Sequence, residues 1–257
     1  MNKKIPSRYL VLVTTLFTLF ANTYANVFKF NGYSTKDISD LYPNLFTPAP
    51  ITFLIWTLIY GLLIVVVYRY FTMDKLSDSE AKVYNRVGYI LSFSNILNGI
   101  WMLFWHMNEI LIALIIMLGI LVSLLAILFE LKKVHQDLWF KSCFGIYTGW
   151  ITIATIANIV VYLVSIQWDG FGKSPETWMV IITIVGLVIT SLTAWKFRNP
   201  YYMMVTIWAY IGILIAHLSD TQNTLIIGTV SGCIAIEIVV LLLVMKGSLY
   251  NQAKQLK

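Results

Sequence analysis

Three stretches of this chain set aromatic rings and amides at helical intervals. Phe53, Trp56 and Tyr60 follow one another at spacings of three and four. Asn95, Asn98, Trp101 and Trp105 do the same, and so do Tyr147, Trp150, Ala154 and Asn158. On a helix each set shares one face. Ring faces stack on flat apolar molecules, while amide and phenol groups meet a polar rim. The chemistry on offer is recognition. No HExxH, no glycine-rich phosphate loop and no nucleophile–base–acid arrangement occurs, so nothing calls for a cofactor, a metal or a catalytic residue.

Glu237 stands inside an apolar run. A carboxyl there is a candidate for proton or substrate handling, or for pairing with Thr229, Ser231 or a group on another helix. Cys143 and Cys233 sit in apolar runs with no metal or redox spacing and read as small packing residues. His106, Glu109, His217 and Asp220 fall near helix ends, where interfacial roles are the ordinary reading.

The elements that position these residues follow from composition. Of 257 residues, 59% are hydrophobic and 12% charged. That is about half the charge of an ordinary soluble domain, and a water-facing surface cannot be made from it. Eight apolar runs occupy residues 9–27, 51–71, 87–105, 110–131, 143–166, 178–195, 202–218 and 225–245. Each can cross roughly 30 Å of hydrocarbon as a helix, and none alternates as a barrel strand would. No loop has room for a soluble catalytic domain, and the basic residues argue for orientation in a membrane rather than for nucleic acid.

With the N-terminus placed in the cytoplasm, fifteen of the eighteen Lys and Arg fall inside, among them Lys3, Lys4, Lys75, Lys254 and Lys257. Lys29, Lys36 and Lys173 fall outside. Adding or removing a middle span would ruin this asymmetry, so the charges support eight spans with both termini cytoplasmic. A bacterial inner membrane suits the pattern. A rival reading takes Lys3, Lys4, Arg8 and the following apolar stretch as a cleaved signal peptide.

Helix rise places Trp56, Asn98 and Trp150 about 9, 12 and 14 Å below the outer boundary of a ~30 Å core. All three stripes then fall in the outer half of the membrane, where they can line one cavity beneath the 28–50 loop. Plain packing is the competing account, since asparagines join membrane helices and aromatics fill space.

The same stripes resemble the TspO/MBR family, the translocator or tryptophan-rich sensory proteins. The family's second helix opens W-x-P-P-x-x-x-F-x-x-x-W-T-x-L-Y. Here Phe46-Thr47-Pro48-Ala49-Pro50 leads into Phe53, Trp56-Thr57 and Tyr60. Its third-helix pattern, Q-L-x-L-N-x-x-W, is met by Asn95, Asn98 and Trp101 within 94–101. Its fifth, P-Y-x-x-W-x-x-x-A-T-x-x-N, is met by Tyr147, Trp150, Ala154-Thr155 and Asn158. Phe46, Ala49 and Ile146 depart from the pattern, as does the position of the usual glutamine.

The resemblance covers about residues 9–166. With the eight apolar runs it makes the expected fold all-α, a polytopic transmembrane bundle of about eight helices, of which the last three have no counterpart in the family's five-helix core. Residues 1–166 would form a five-helix TspO-like core, and 167–257 three additional helices. It also implies a ligand site of Phe53, Trp56, Tyr60, Asn95, Asn98, Trp101, Tyr147, Trp150 and Asn158. The ligand expected is a hydrophobic aromatic one, a porphyrin or related tetrapyrrole or a sterol-like molecule, with a homodimer as a further expectation. Two alternatives stand beside this sensory or translocator reading. One is a secondary transporter using Glu237, although the unbroken runs lack the interruptions typical of alternating access. The other is a porphyrin-degrading enzyme, for which no general acid or base presents itself.

Overall fold

The structure is a computed structural model. It describes residues 5–74, 76–134, 137–218 and 223–255, with 248–255 described by backbone alone. Lys3, Lys4, Lys75, Asp220 and Lys257, used in the charge and interface arguments, lie outside the described residues. Among the described residues every long element is a helix and none is a strand. These are α1 (Ser7–Val27), α2 (Thr35–Asp40), α3 (Ile55–Thr72), α4 (Asp78–His106), α5 (Ile110–Leu131), α6 (Leu138–Ser165), α7 (Pro175–Phe197), α8 (Pro200–His217) and α9 (Thr224–Gln255). All but α2 are long and apolar enough to cross a membrane, which gives the eight spans expected.

The helix ends follow local chemistry more closely than hydropathy does. α4 begins nine residues before its apolar run, because Ser77 and Glu80 form a reciprocal capping box that starts a helix in polar sequence. α3 is entered through a 3-10 turn, Pro50–Leu54, whose first residue is a proline that needs no N–H partner there. The 28–50 loop carries order of its own. The Ser34 hydroxyl caps α2 by accepting from the Asp37 N–H at 3.2 Å, and the Ser34 N–H donates in return to the Asp37 carboxylate at 2.8 Å. That bond and the Ser34 hydroxyl hold the Asp37 carboxyl below its usual pKa range.

The chain divides into two compact units. The first comprises Met1–Leu41 and Trp56–Phe144. In it α4 packs on both α1 and α5. α1 presents Thr14, Thr15, Thr18 and Asn22, all buried, and α4 meets them with Asn95 and Asn98. The Asn95 amide donates to the Thr15 hydroxyl at 3.0 Å, the Thr18 hydroxyl donates to the Asn95 carbonyl at 2.8 Å, and the Asn22 amide donates to Asn98 Oδ1 at 2.8 Å. Small residues let the helices close: a Cβ on Gly88 would lie 2.2 Å from Ser7 Oγ, and one on Gly99 would lie 2.3 Å from the Phe17 ring. Association in lipid relies on such packing and interhelical hydrogen bonds, because burial from water no longer drives it.

A double-mutant cycle on Asn22→Leu and Asn98→Leu is expected to give a coupling of about 0.6–1.7 kcal/mol, the range of membrane hydrogen bonds. Strictly additive losses of thermal stability would show that the bond joining α1 to α4 contributes nothing.

At the end of this unit where α3 stops, Arg69 pairs with Asp137 at 2.6 Å, and Arg86 of α4 pairs with Glu130 of α5 at 2.7 Å. Phe140 sets its ring edge-on to Tyr70 and Tyr84, at 5.2 and 4.9 Å between centroids. The Tyr70 hydroxyl donates to the Tyr84 carbonyl at 3.0 Å.

The second unit comprises Tyr42–Ile55 and Gly145–Lys257. Here α7, α8 and α9 pack on one another. Only Arg198 and Asn199 separate α7 from α8. Arg198 takes a left-handed backbone that ends α7, and Asn199 caps α8 by accepting from the Tyr201 and Tyr202 N–H groups. α6 approaches α8 so closely that a Cβ on Gly149 would sit 2.7 Å from the Tyr202 carbonyl oxygen. The Tyr202 hydroxyl donates to Thr152 at 2.9 Å on the same pair of helices. The 42–55 segment is strapped to α8 by three bonds: Ala49 N–H to the Gly212 carbonyl at 2.9 Å, Trp208 Nε1 to the Thr52 carbonyl at 3.1 Å, and His217 Nε2 to the Leu45 carbonyl at 2.8 Å.

Candidate functional site

The nine residues marked as ligand-binding divide between the two units. In the first, Trp56 and Tyr60 lie one turn apart on α3, and their rings stack at 5.4 Å with 21° between planes. Asn95 and Asn98 are fully buried on α4, with their amides engaged on α1 as described. Trp101 stacks on Trp105 at 5.4 Å, and Trp105 Nε1 donates to the Thr35 carbonyl at 3.0 Å. This end of α4 is thus covered by residues 31–35, a closure reinforced by Asn31 donating to the His106 carbonyl at 3.1 Å.

In the second unit Phe53 meets Trp150 edge-on, with centroids 6.0 Å apart. Tyr147 is fully buried one turn before Trp150, and the Asn158 amide donates to the Ala154 carbonyl of its own helix at 2.9 Å. Spacing anticipates the Trp56–Tyr60 and Trp101–Trp105 pairs, but Phe53, grouped with Trp56 and Tyr60 on one face, lies in the 3-10 turn before α3 and pairs with Trp150 instead. It does not reveal that two of the amides meet a polar stripe on α1, because that stripe is made of threonines and one asparagine among apolar residues.

Glu237 is fully buried on α9. Its Oε1 accepts from the Thr190 hydroxyl of α7 at 2.9 Å, so the partner is on another helix rather than Thr229 or Ser231. The Thr206 hydroxyl of α8 also bears on this carboxyl, although Oε2 makes no hydrogen bond of ordinary geometry among the described residues. Tyr202, Tyr210 and Cys233 share its surroundings, and the Tyr210 hydroxyl is directed away to the Thr183 carbonyl at 2.7 Å.

The second unit also holds a cavity of about 650 Å³, lined by none of the nine residues. Its walls come from 43–46, the last turns of α6, the 168–173 loop and the first turns of α7. Leu163, Val164 and Ile182 contribute apolar surface, Trp168 and Trp178 contribute rings, and Asp169, Lys173 and Glu176 contribute charge. The walls are tied down. Trp178 Nε1 donates to the Gly170 carbonyl at 2.7 Å, and Gly170 has φ +65° with no room for a Cβ, which would lie 2.9 Å from that nitrogen. Asn44 Oδ1 accepts from the Phe46 N–H at 3.0 Å, and His217 holds Leu45. The sequence signal for this cavity was the pair Trp168 and Trp178 flanking Gly170-Phe171-Gly172. The rest of the lining comes from a segment more than a hundred residues earlier, which no local pattern reports.

A family profile described as TSPO-like protein matches residues 8–244. The match runs through all eight spans and so takes in the last three as well as the first five. Searches of curated proteins and of solved structures find no match. The profile covers most of an integral, multi-pass membrane protein whose helices carry the ring pairs described above, and on that ground the chain belongs to the TSPO-like protein family.

Proposed function

We propose that this protein binds a hydrophobic aromatic ligand, a porphyrin or related tetrapyrrole, within the membrane and acts as a sensory or translocator-like protein. The observation that carries the proposal is the family match over 8–244. The stacked Trp56–Tyr60 pair and the Phe53–Trp150 contact support it, because such rings offer flat apolar area at little entropic cost. In this reading residues 1–166 supply the ligand groups, with Asn95, Asn98, Trp101, Tyr147 and Asn158 as the further candidates, and 167–257 supply Glu237.

The test is titration of the purified protein with protoporphyrin IX, followed by the Soret band and by tryptophan fluorescence. Saturable binding is the expected result, and its absence sinks the proposal. Light-dependent product formation in the same sample would move the reading to a tetrapyrrole-degrading enzyme. The proposed setting is a bacterial inner membrane with both termini cytoplasmic, supported by the fifteen-to-three split of basic residues. Reporter fusions at each terminus read that orientation directly.

Glu237 favours a second reading, a secondary transporter. A buried acid with one oxygen making no hydrogen bond of ordinary geometry among the described residues is poised to take up a proton or a cationic group. Under this reading Glu237→Gln keeps the Thr190 contact and lowers substrate uptake into vesicles at least tenfold. Unchanged uptake, with a folded protein, leaves Glu237 a structural residue.

A further inference from the structure

The 43–46, 160–182 cavity is separate from every residue assigned to the aromatic ligand. Its size lies within the range of pockets that enclose one small amphiphile. Its two ends differ in chemistry. Leu163 and Val164 of α6 and Ile182 of α7 make an apolar floor that runs along the helices. At the other end Trp168 and Trp178 line the cavity, and Phe171, outside the lining, packs against both. Trp168 lies 4.8 Å from Trp178 and 5.2 Å from Phe171 between centroids, and Phe171 lies 6.5 Å from Trp178. Asp169, Lys173 and Glu176 line the same end, with one Asp169 oxygen accepting from the Phe171 N–H at 3.0 Å and the Glu176 carboxyl accepting from its own N–H and Ser174.

Aromatic faces next to carboxylates are the recurring surroundings of a quaternary ammonium, which is attracted by the ring quadrupole and cannot donate a hydrogen bond. A lysine within a few residues of them suits a phosphate. An interfacial aromatic belt alone would need neither the cavity nor its fastenings. Here Gly170 is fixed by its backbone, and its carbonyl holds the Trp178 ring in place.

We propose that this cavity binds a single-chain amphiphile with a phosphocholine head. The tail lies on the 163–182 floor, the trimethylammonium lies against the Trp168–Trp178 cluster with Asp169 and Glu176, and the phosphate meets Lys173. The site goes beyond the tetrapyrrole reading and does not depend on it.

The test uses the full chain in bilayer discs of phosphatidylglycerol, which supply no choline head of their own. A single-chain phosphocholine with a photoactivatable tail is added, and labelled peptides are mapped by mass spectrometry. Labelling is expected within 160–182, saturable and removed by excess unlabelled single-chain phosphocholine. A single-chain phosphoglycerol competitor is expected to be at least tenfold weaker. Leu163→Trp, which fills the floor, and Glu176→Lys, which reverses an exposed charge, should each reduce labelling at least fivefold. Trp56→Phe with Trp150→Phe should leave it unchanged, so that failure of the tetrapyrrole site and failure of this one are told apart. Labelling spread evenly over lipid-facing spans, equal competition by the phosphoglycerol analogue, or no change in either cavity variant would overturn the proposal.

Discussion

Gly149→Ala lowers the thermal midpoint of the purified protein on the order of 5 °C, whereas Gly228→Ala raises it or leaves it unchanged. The two glycines both lie in helices, where replacing glycine by alanine alone is worth about 1 kcal/mol in favour of the variant. Their surroundings decide the sign. A Cβ on Gly228 meets nothing within 4 Å. A Cβ on Gly149 lies 2.7 Å from the Tyr202 carbonyl oxygen, a backbone atom that cannot rotate aside. α6 and α8 must then separate, and the Tyr202–Thr152 bond that crosses the same contact lengthens with them. Overpacking against backbone costs about 3 kcal/mol, the upper end of the usual range, which leaves about 2 kcal/mol after the helix gain and a shift of about 5 °C. The measurement is thermal denaturation in one detergent for both variants. Equal midpoints would mean that α6 and α8 do not approach as closely as described.

The second large effect is on binding. The Trp56→Phe, Trp150→Phe double variant is expected to bind protoporphyrin IX at least tenfold more weakly than the wild type, measured by the Soret shift so that lost tryptophan emission does not confuse the result. Each indole contributes more stacking area than a phenyl ring, and aromatic pairs are worth about 0.5–1.5 kcal/mol beyond area. Two such losses amount to about 2 kcal/mol, more than one decade in affinity. Phenylalanine keeps the volume apolar, so the fold should survive. Trp195→Phe serves as the control, because Trp195 is 61% exposed on α7 and takes no part in either ring pair. Equal affinities for the double variant and the wild type would remove these two rings from the ligand site.

The spans were legible because lipid demands long apolar helices, and hydropathy measures that demand directly. Their ends were less so. The polar opening of α4 is helical through the Ser77–Glu80 box, a local hydrogen-bond exchange that hydropathy does not see. Within the candidate site, periodicity placed Trp56 with Tyr60 correctly, since both belong to one helix. The Phe53–Trp150 contact and the Asn98–Asn22 bond join residues 97 and 76 positions apart, and no single-helix pattern reports them. Thr190 as the partner of Glu237 was hidden for the same reason. The cavity beside Trp168 and Trp178 needs two segments more than a hundred residues apart to exist at all.

The two-residue link between α7 and α8 bears on how the chain enters the bilayer during synthesis. With Arg198 and Asn199 both committed to helix ends, there is no slack to let one span settle while the next waits in the translocon. Residues 175–217 are therefore expected to leave it as one hairpin, with the Asn199 cap formed at the connecting turn. An epitope or reporter placed between 198 and 199 should interrupt that paired insertion, whereas the longer 166–174 connection should accept one without loss of the spans on either side.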